Sequence, residues 1–314
     1  MRHVLVLAGG LSHEREVSLR SGRRVADALT RSGTEAHLRD VDPTLLGAIK
    51  SSLPEVIWPA LHGATGEDGA LRDVLESLNI AYVGSRPASC RLTWDKPVAK
   101  ALVSAAGIST PASVALSHAT FRELGAPALL ESVVDSLGLP LAVKPSRGGS
   151  ALGLTIVRSA TDLPSAMVTA YAYGDVVLIE QFIDGIEVAL SIVEDDQGLP
   201  QALPAVEIVP DGGVYSYEAR YTAGATEFFT PARLASSVAA SAAAASLAAY
   251  RTLGHQHLSR VDLIIDADGR PWFLEANVSP GMTETSLLPM AVEAAGLDVG
   301  EVYAGIVERA LIHL

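Results

Sequence analysis

Cysteine and basic residues are scarce in this chain of 314 residues. Its single cysteine, Cys90, excludes an internal disulfide framework, and we interpret it as a small buried hydrophobic side chain. Only 23 lysines and arginines stand against 36 aspartates and glutamates, which gives a formal net charge of −13. This negative charge argues against electrostatic wrapping of nucleic acid or of an anionic membrane, but it does not exclude a local basic pocket.

Long apolar runs are missing as well. The opening residues MRHVLVLAGG hold a run too short for a signal-peptide core with a cleavage site, and they predict a first β-strand. The alanine-rich segment 236–250 is too short and too rich in serine to span a bilayer, and it predicts a surface or core helix. We therefore expect a cytoplasmic protein with neither a nucleic-acid nor a membrane partner.

Two common nucleotide-binding fingerprints are absent, but another glycine-rich loop is present. No GxxxxGK[ST] opens a helix, and no GxGxxG follows a strand. The loop SRGGSALG instead lies between two predicted strands, directly after one that carries Lys144. Glycines let backbone N–H groups approach phosphate oxygens closely. An ordinary flexible hairpin loop is the alternative, and the neighbouring lysine favours phosphate.

The segment SRVDLIIDADGRPWFLEAN, residues 259–277, predicts two strands joined by a tight turn. The dipeptide DG at 268–269 favours a two-residue type I′ turn, in which Asp262 faces Glu275. Because side chains alternate with a period of two, four polar residues share one face of this hairpin. They are Arg260, Asp262, Glu275 and Asn277. The opposite face is predicted to belong to the core, with Val261, Leu263, Ile265, Trp272, Leu274 and Ala276.

A pair of facing carboxylates needs an explanation. At about 5 Å and an effective dielectric near 20, two unit charges repel by roughly 3 kcal/mol. A bound cation would reverse the sign, and carboxylate and amide oxygens are ligands that Mg²⁺ accepts. The alternative is a solvated hairpin face with one weak Arg–Asp pair, and a one-residue slip in register would also remove the pattern.

The order of predicted elements indicates an α/β (α+β) protein of three domains. Strands and helices alternate over residues 1–92, which predicts a parallel-sheet βαβ domain. Residues 93–183 carry the glycine-rich loop between strands, and residues 184–314 carry the hairpin. We expect these two mixed or antiparallel units to enclose a ligand between them.

Taken together, the motifs resemble the D-alanine–D-alanine ligase family of the ATP-grasp superfamily. They extend over nearly the whole chain: GGLSHEREVSLRSG, ALHGATGEDG, DKPVAK, VKPSRGGSALG, LIEQFIDGIEV, YSYEARYT and RVDLIIDADGRPWFLEANVSPGMTETSLLPM. The resemblance implies ATP-dependent joining of two D-alanines through an acyl phosphate, for peptidoglycan precursor synthesis. It also implies two Mg²⁺ ions, for which Mn²⁺ can substitute, and a homodimer. A related ligase that uses D-serine, D-lactate or an amino acid of specialised metabolism as second substrate is the alternative.

The resemblance assigns roles to individual residues. ATP would contact Lys96, Lys144, Glu180, Gln181, Ile183, Glu187 and Arg220. The metal ligands would be Asp262, Glu275 and Asn277. The amino-acid substrates would contact Glu14, His62, Arg260, Gly281, Ser286 and Leu287. Glu14 would bind the first ammonium group, Arg260 the developing oxyanion, and Ser286 the carboxylate of the second amino acid. Ser150 and Tyr221 would join Glu14 in a hydrogen-bonded set that orders two loops over the site.

Three positions depart from the family pattern, and two other functions stay open. Gln181 and Arg220 stand where lysine is usual, and Val278 stands where threonine is usual. These departures bear on nucleotide affinity and phosphate contact, because arginine is a planar fork and not a point charge. The other functions are a nucleotide-binding module without turnover and a dehydrogenase; the missing GxGxxG argues against the latter.

Overall fold

Three β-sheets follow one another along the part of the chain described by the computed structural model, residues 2–222 and 224–312. Of Tyr221 only the backbone is described. The predicted Cys90 environment is confirmed, since this residue is fully buried. Within the described residues, no helix is both long enough and apolar enough to cross a membrane.

The first sheet is parallel, as predicted, with strand order β2–β1–β3–β4. Its elements are β1 (His3–Ala8), α1 (Arg15–Arg31), β2 (Glu35–Asp40), α2 (Leu45–Ser52), β3 (Val56–Pro59), α3 (Ala64–Glu67), α4 (Ala70–Ser77) and β4 (Ala81–Tyr82). Strand β1 is apolar because both of its faces are covered. Helix α1 buries the stripe containing Val25 and Leu29 and ends just before Gly33.

The second sheet is antiparallel, with order β5–β8–β6–β7. This region contains α5 (Pro87–Trp94), α6 (Lys96–Ala105), β5 (Ser113–Ser117), α7 (His118–Leu124), α8 (Ala126–Leu137), β6 (Leu141–Pro145), β7 (Thr155–Val157), a 3-10 turn (Ala160–Asp162), α9 (Leu163–Tyr171) and β8 (Val176–Gln181). The glycine-rich loop lies between β6 and β7, as predicted. Strand β5 and helices α7 and α8 were not predicted; β5 is short and pairs only with β8.

The third sheet has the order β12–β11–β9–β13–β14, and β10 pairs with β9. Its elements are β9 (Ile186–Glu194), β10 (Pro200–Ala202), β11 (Val206–Pro210), α10 (Tyr217–Tyr221), β12 (Thr226–Phe229), α11 (Ser236–Thr252), β13 (Leu258–Ile265), β14 (Pro271–Asn277), α12 (Leu287–Ala294) and α13 (Val299–Ile312). The motif YSYEARYT thus contains the short helix α10. The alanine-rich segment is the predicted helix, α11, and packs on this sheet.

The β13–β14 hairpin has a different turn from the one predicted. The N–H of Asp266 donates to the carbonyl of Arg270 (3.1 Å), which leaves three residues, 267–269, in the loop instead of two. The N–H of Gly269 donates to the carbonyl of Asp266 (2.9 Å), and Gly269 has a φ of +78°. A type I turn followed by a left-handed residue is the usual three-residue hairpin loop. The prediction of a type I′ turn was therefore wrong.

A β-bulge restores the predicted pairs at the far end of the hairpin. The register shifts between Asp262 and Leu263, because Leu263 lies opposite Phe273 and Leu274 is the extra residue. The confirmed pairs are Asp262–Glu275 and Arg260–Asn277. The longer turn and the bulge each shift the register by one residue, in opposite directions, so the two deviations cancel.

The bulge also changes which residues of β14 face the core. Phe273 is fully buried, whereas Trp272 and Leu274 are only partly buried, and Leu274 lines a cavity beside Glu275. The prediction of Trp272 and Leu274 as core residues was therefore wrong. The other predicted core positions of the hairpin are confirmed as buried or packed on the core: Val261, Leu263, Ile265 and Ala276.

The three sheets share hydrophobic cores with elements distant in sequence. Helix α13 packs against the first sheet, where Tyr303 and Trp58 have ring centroids 5.0 Å apart. Helix α6 buries Ala99 and Val103 against the third sheet. These contacts fix the walls of the cavities that lie between the sheets.

Candidate active site

Two cavities of similar size meet at the β13–β14 hairpin. The inter-sheet cavity, about 400 Å³, lies between the second and third sheets. The helix-start cavity, about 420 Å³, lies where α1 and α12 begin. A bridging pocket of about 30 Å³ lies between them. The hairpin therefore faces both larger cavities at once.

The predicted site residues divide between these cavities by their predicted roles. The inter-sheet cavity is lined by Lys96, Lys144, Glu180, Gln181, Ile183, Glu187 and Arg220. The helix-start cavity is lined by Glu14, His62, Ser150, Arg260, Gly281, Ser286 and Leu287. The side chain of Tyr221, also predicted to act here, lies outside the described residues. Residues from all three sheets thus converge on one region.

Two lysines bind the carboxylate of Glu180 in the wall of the inter-sheet cavity. The ammonium of Lys144 lies 2.5 Å from one Glu180 oxygen, and that of Lys100 lies 2.7 Å from the other. Glu180 is 2% exposed, so its carboxylate is buried between the two lysines. Its carboxylate is occupied by lysines, which leaves its backbone to contact a nucleotide base.

The glycine-rich loop is attached to α6 and to the hairpin by Lys96. The Lys96 ammonium donates to the carbonyl of Gly148 (2.7 Å) and lies 3.4 Å from Glu275. Ser150, at the tip of this loop, has a φ of +54°, which is uncommon for a residue with a side chain. Its hydroxyl donates to the Glu14 carboxylate, which connects the loop to the start of α1. The predicted Ser150–Glu14 contact is therefore present.

The predicted metal ligands lie where the cavities meet. Asp262 lines the inter-sheet cavity, Glu275 lines this cavity and the bridging pocket, and Asn277 lines the pocket and the helix-start cavity. Among the described residues, no group of three or more histidines, cysteines or acids could hold a metal ion. The predicted set is not a group of that kind, because it consists of two acids and one amide. Hard oxygen donors across one hairpin fit Mg²⁺. Asn277 Oδ1 also accepts the N–H of Ser279 (2.7 Å).

Cations around Glu275 keep it ionised. Burial alone would raise the pKa of Glu275, but Lys96 and the charges of Lys144, Arg220 and Arg260 outweigh burial and lower it to about 2. An ionised carboxylate is the form that binds a metal ion. Basic side chains therefore form a local pocket around Glu275, although the chain as a whole is negatively charged.

Arg260 binds Asp262 through two parallel hydrogen bonds. Arg260 Nε lies 2.7 Å from Oδ1 and Nη2 lies 2.8 Å from Oδ2. Both side chains are nearly buried, so each charge depends on the other for compensation. An ionised carboxylate keeps further lone pairs, so Asp262 can bind a metal without releasing Arg260. The guanidinium also lines the helix-start cavity, where a substrate would lie.

Arg220 and Glu187 bring opposite charges to the inter-sheet cavity. The Arg220 guanidinium lies over the ring of Tyr215, 4.0 Å from its centroid. Its buried Nε has no hydrogen-bond partner among the residues that the structure describes, which leaves a donor for an anion. Burial raises the pKa of Glu187 to about 7, with Arg220 opposing the shift and Asp262 adding to it.

His62 is buried as a neutral ring. Its Nδ1 donates to the carbonyl of Ser279 (3.1 Å), and its Nε2 accepts from the hydroxyl of Ser21 (3.0 Å). Burial lowers its pKa, which favours the neutral form despite the nearby Glu14 carboxylate. These contacts join the first sheet to the segment after β14, which shapes the helix-start cavity.

Ser286 lies at the N-cap of α12, as predicted. Its hydroxyl oxygen accepts the N–H of Thr283 (2.8 Å) and is 2.9 Å from the Thr283 hydroxyl. A Cβ on Gly281 would lie 2.7 Å from the Ser286 hydroxyl oxygen, so a larger residue at position 281 would have to displace that hydroxyl. Leu287 starts α12 on the wall of the same cavity. The free N–H groups of a helix start suit a carboxylate.

Two of the three departures from the family pattern have a structural consequence. Gln181 donates from its side-chain amide to the carbonyl of Leu137 (2.9 Å), so it supports the end of α8 beside the cavity. Val278 is 2% exposed, and its apolar side chain suits that environment. Neither removes a predicted ligand.

Glu67 is a site residue that the sequence reasoning missed. It lines the bridging pocket and the helix-start cavity, and its Oε1 accepts the N–H of Gly63 (2.9 Å). Burial, together with the neighbouring Glu14 carboxylate, raises the pKa of Glu67 to about 8. The motif HGATGED contains this residue, but its burial depends on elements distant in sequence.

The raised pKa of Glu67 predicts a pH-dependent stability. A folded-state pKa of about 8, against an ordinary 4.5, stabilises the fold below pH 4.5 relative to high pH. This contribution is lost as the pH rises from 4.5 towards 8, by about 1.4 kcal/mol per pH unit. The Glu67→Gln variant has no such proton to lose. Its free energy of unfolding should therefore increase relative to that of the wild type as the pH rises from 5 to 8. Urea unfolding of ligand-free protein between pH 5 and 8 measures the difference.

The exposed Glu131→Gln variant on α8 is the control for Glu67→Gln. Its free energy of unfolding should follow the wild type at every pH. Parallel pH profiles for Glu67→Gln and wild type would contradict the assignment of a buried, protonated Glu67.

Comparisons with known proteins identify the family of the chain. The family model described as D-ala D-ala ligase C-terminus matches residues 102–308. The D-alanine–D-alanine ligase of Bordetella petrii is 42% identical over 305 residues, which cover 97% of this chain and 91% of that protein.

Solved structures give the same result. The D-alanine–D-alanine ligase of Bacillus anthracis complexed with ATP superposes with a TM-score of 0.83 at 30% identity, covering 100% of this chain and 98% of that one. The VanG D-Ala:D-Ser ligase of Enterococcus faecalis has a TM-score of 0.83 at 27% identity, covering 98% and 99%. The predicted ATP-grasp fold class is thereby confirmed. On its sequence and on its fold, the chain belongs to the D-alanine–D-alanine ligase family.

Proposed function

We propose that the protein joins two D-alanine molecules into D-alanyl-D-alanine at the expense of ATP, for peptidoglycan precursor synthesis. The observation that supports this most directly is the position of the Asp262–Glu275 pair, on the wall of the cation-lined inter-sheet cavity and beside the pocket that bridges it to the helix-start cavity. A nucleotide in the first cavity would place its terminal phosphate beside amino acids in the second. Membership of the ligase family supports the same reaction.

The inter-sheet cavity would hold ATP. The ammonium of Lys144 and the free donor of Arg220 would contact phosphate groups, with Lys96 beside the glycine-rich loop. The backbone at 180–183 would bind adenine, and Glu187 would accept hydrogen bonds from the ribose. Positioning and charge neutralisation dominate phosphoryl transfer, so these groups would lower the barrier mainly by holding the phosphates in place.

Two Mg²⁺ ions, or Mn²⁺ in their place, would be held by Asp262, Glu275 and Asn277. When bound, the metal neutralises negative charge on the phosphates as it develops. The chain's part is to keep both carboxylates ionised and facing the cavity. The cations around Glu275 and the paired Arg260 support this role.

In the first step, Glu14 would bind the ammonium of the first D-alanine, whose carboxylate attacks the γ-phosphate. The product is an acyl phosphate, with ADP as leaving group. The Ser150–Glu14 hydrogen bond would fix the glycine-rich loop over this substrate. Together with Tyr221 on the facing loop, the contact would exclude water from the acyl phosphate.

In the second step, the amine of the second D-alanine attacks the acyl carbon and phosphate leaves. Arg260 would stabilise the oxyanion that develops there. Ser286 and the first N–H groups of α12 would bind the carboxylate of the second amino acid.

Product analysis tests the proposal and identifies the second substrate. Purified protein is incubated with ATP, Mg²⁺ and mixed D-alanine, D-serine, D-lactate and L-alanine, and the products are analysed by mass spectrometry. D-alanyl-D-alanine should dominate. Absence of phosphate release with D-alanine alone would contradict the proposal, whereas a mixed product would indicate the D-serine or D-lactate alternative.

Three broader assignments belong to the same proposal. The three sheets would correspond to domains 1–92, 93–183 and 184–314. The enzyme would act in the cytoplasm, where ATP is available, and as a homodimer, which the family resemblance suggests. Sedimentation equilibrium of the purified protein tests the dimer.

A further inference from the structure

Lys100 is a buried lysine that no step above uses. Its side chain is 3% exposed, and its ammonium lies 2.7 Å from Glu180 Oε2 and 2.8 Å from the hydroxyl of Thr110. Among the described residues, Glu180 and Lys144 line the inter-sheet cavity but Lys100 does not, because it lies behind them. Only four of the 23 lysines and arginines of the chain are lysines, at positions 50, 96, 100 and 144. Three of these four lie at or beside the inter-sheet cavity.

Glu180 lies between the ammonium groups of Lys100 and Lys144. These three side chains together carry one net positive charge. Burial alone would raise the pKa of Glu180, but Lys144 and Lys100 outweigh burial and lower it. The carboxylate is therefore ionised, with one oxygen bound by each lysine. Of the two lysines, only Lys144 lines the inter-sheet cavity, so its ammonium is the one that an anion in the cavity can reach.

An entering polyphosphate competes with Glu180 for Lys144. If Lys144 were the only partner of Glu180, the movement of Lys144 towards a phosphate would leave a buried carboxylate without a compensating charge, which is strongly unfavourable. Lys100 removes that cost, because it stays bound to the other Glu180 oxygen. We propose that Lys100 is a positioning residue for ATP: it holds Glu180, so that Lys144 is free to bind a phosphate group.

The second contact of Lys100 fixes it in place. The Thr110 hydroxyl donates to the carbonyl of Phe273 (2.9 Å) on β14, next to the bulged Leu274. A continuous chain of polar contacts therefore runs from Lys144 through Glu180 and Lys100 to the hairpin that carries the predicted metal ligands. This inference rests on the proposed function, since it takes Lys144 as a phosphate-binding lysine.

The Lys100→Met variant tests the inference. It removes the ammonium with little change in side-chain length, so Glu180 keeps only Lys144. The dissociation constant of the Mg²⁺ complex of the β,γ-methylene analogue of ATP, measured by calorimetry, should rise by about ten- to hundredfold, since each tenfold is about 1.4 kcal/mol. The KM for ATP should rise similarly, while kcat at saturating ATP changes less. An unchanged dissociation constant would overturn the inference.

A second substitution separates charge positioning from a structural role. The double variant Lys100→Met/Glu180→Gln has no carboxylate at position 180 that needs a positive charge beside it. Lys144 is then available for phosphate, so the double variant should bind the analogue at least tenfold more tightly than Lys100→Met. Glu180→Gln alone should bind the analogue at least as tightly as the wild type. This result can be measured even if Lys100→Met does not fold. A double variant that binds no better than Lys100→Met, or a weakened Glu180→Gln, would overturn the inference.

Two further variants complete the design. Lys50→Met changes the exposed lysine on α2 and should leave binding unchanged. Lys144→Met should lose most of the affinity; wild-type binding by this variant would overturn the proposed phosphate contact together with the inference. Weak binding by Lys144→Met combined with wild-type binding by Lys100→Met would overturn the inference alone.

Discussion

Replacing Glu275 by glutamine should lower ligase turnover by about 10³-fold, the largest effect expected from one substitution in this protein. Glu275 faces Asp262 across the hairpin, and its pKa of about 2 keeps it ionised at any working pH. The amide removes the negative charge and one strong oxygen ligand. Several kcal/mol of charge stabilisation depend on the metal, at about 1.4 kcal/mol per tenfold in rate.

The measurement for Glu275→Gln is steady-state product formation over a range of Mg²⁺ concentrations. The Mg²⁺ concentration for half-maximal rate should rise along with the loss of turnover. Asp268→Asn is the control, because this exposed acid lies in the turn of the same hairpin and should change neither quantity. Wild-type turnover with an unchanged Mg²⁺ requirement would remove Glu275 from the metal site and, with it, the chemical basis of the proposed reaction.

The facing acids could be predicted because hairpin register depends on a few local residues. The prediction nevertheless reached the right pairs through a wrong turn, since a three-residue loop and a bulge at Leu274 cancel each other. Local sequence does not mark the bulge, which accompanies the burial of Phe273 in the core. The predicted core face was wrong at Trp272 and Leu274 for that reason.

Lys100 and Glu67 mark the limit of prediction from the residues. Lysine and glutamate on helices are usually exposed, so neither stood out. Lys100 is functional only because β8 places Glu180 beside α6, and the two residues are 80 positions apart. Glu67 lines two cavities together with the glycine-rich loop, which is about 80 positions away, and one of these cavities is also lined by α1. The motifs containing both residues were identified, but their contacts required the three-dimensional structure.

Replacing Arg260 by methionine should lower dipeptide formation by about 10²- to 10³-fold, as expected for the loss of one oxyanion-stabilising donor. The guanidinium lines the helix-start cavity and is held by its two bonds to Asp262. Methionine removes the charge where the tetrahedral oxyanion would develop. Exposed Arg251→Met on α11 is the control and should keep full activity.

The two steps of the reaction distinguish the roles of Arg260. If it stabilises the oxyanion of the second step, Arg260→Met should still form the acyl phosphate reversibly. Exchange of ¹⁸O from the β,γ-bridge of ATP to a non-bridging position, with D-alanine present, measures that first step. The exchange should fall much less than dipeptide formation. Equal losses in both, with a raised Mg²⁺ requirement, would instead mean that Arg260 acts through Asp262, because an unpaired buried carboxylate disturbs the metal site. The difference between the rates of isotope exchange and dipeptide formation therefore decides whether Arg260 acts on the substrate or through Asp262 on the metal site.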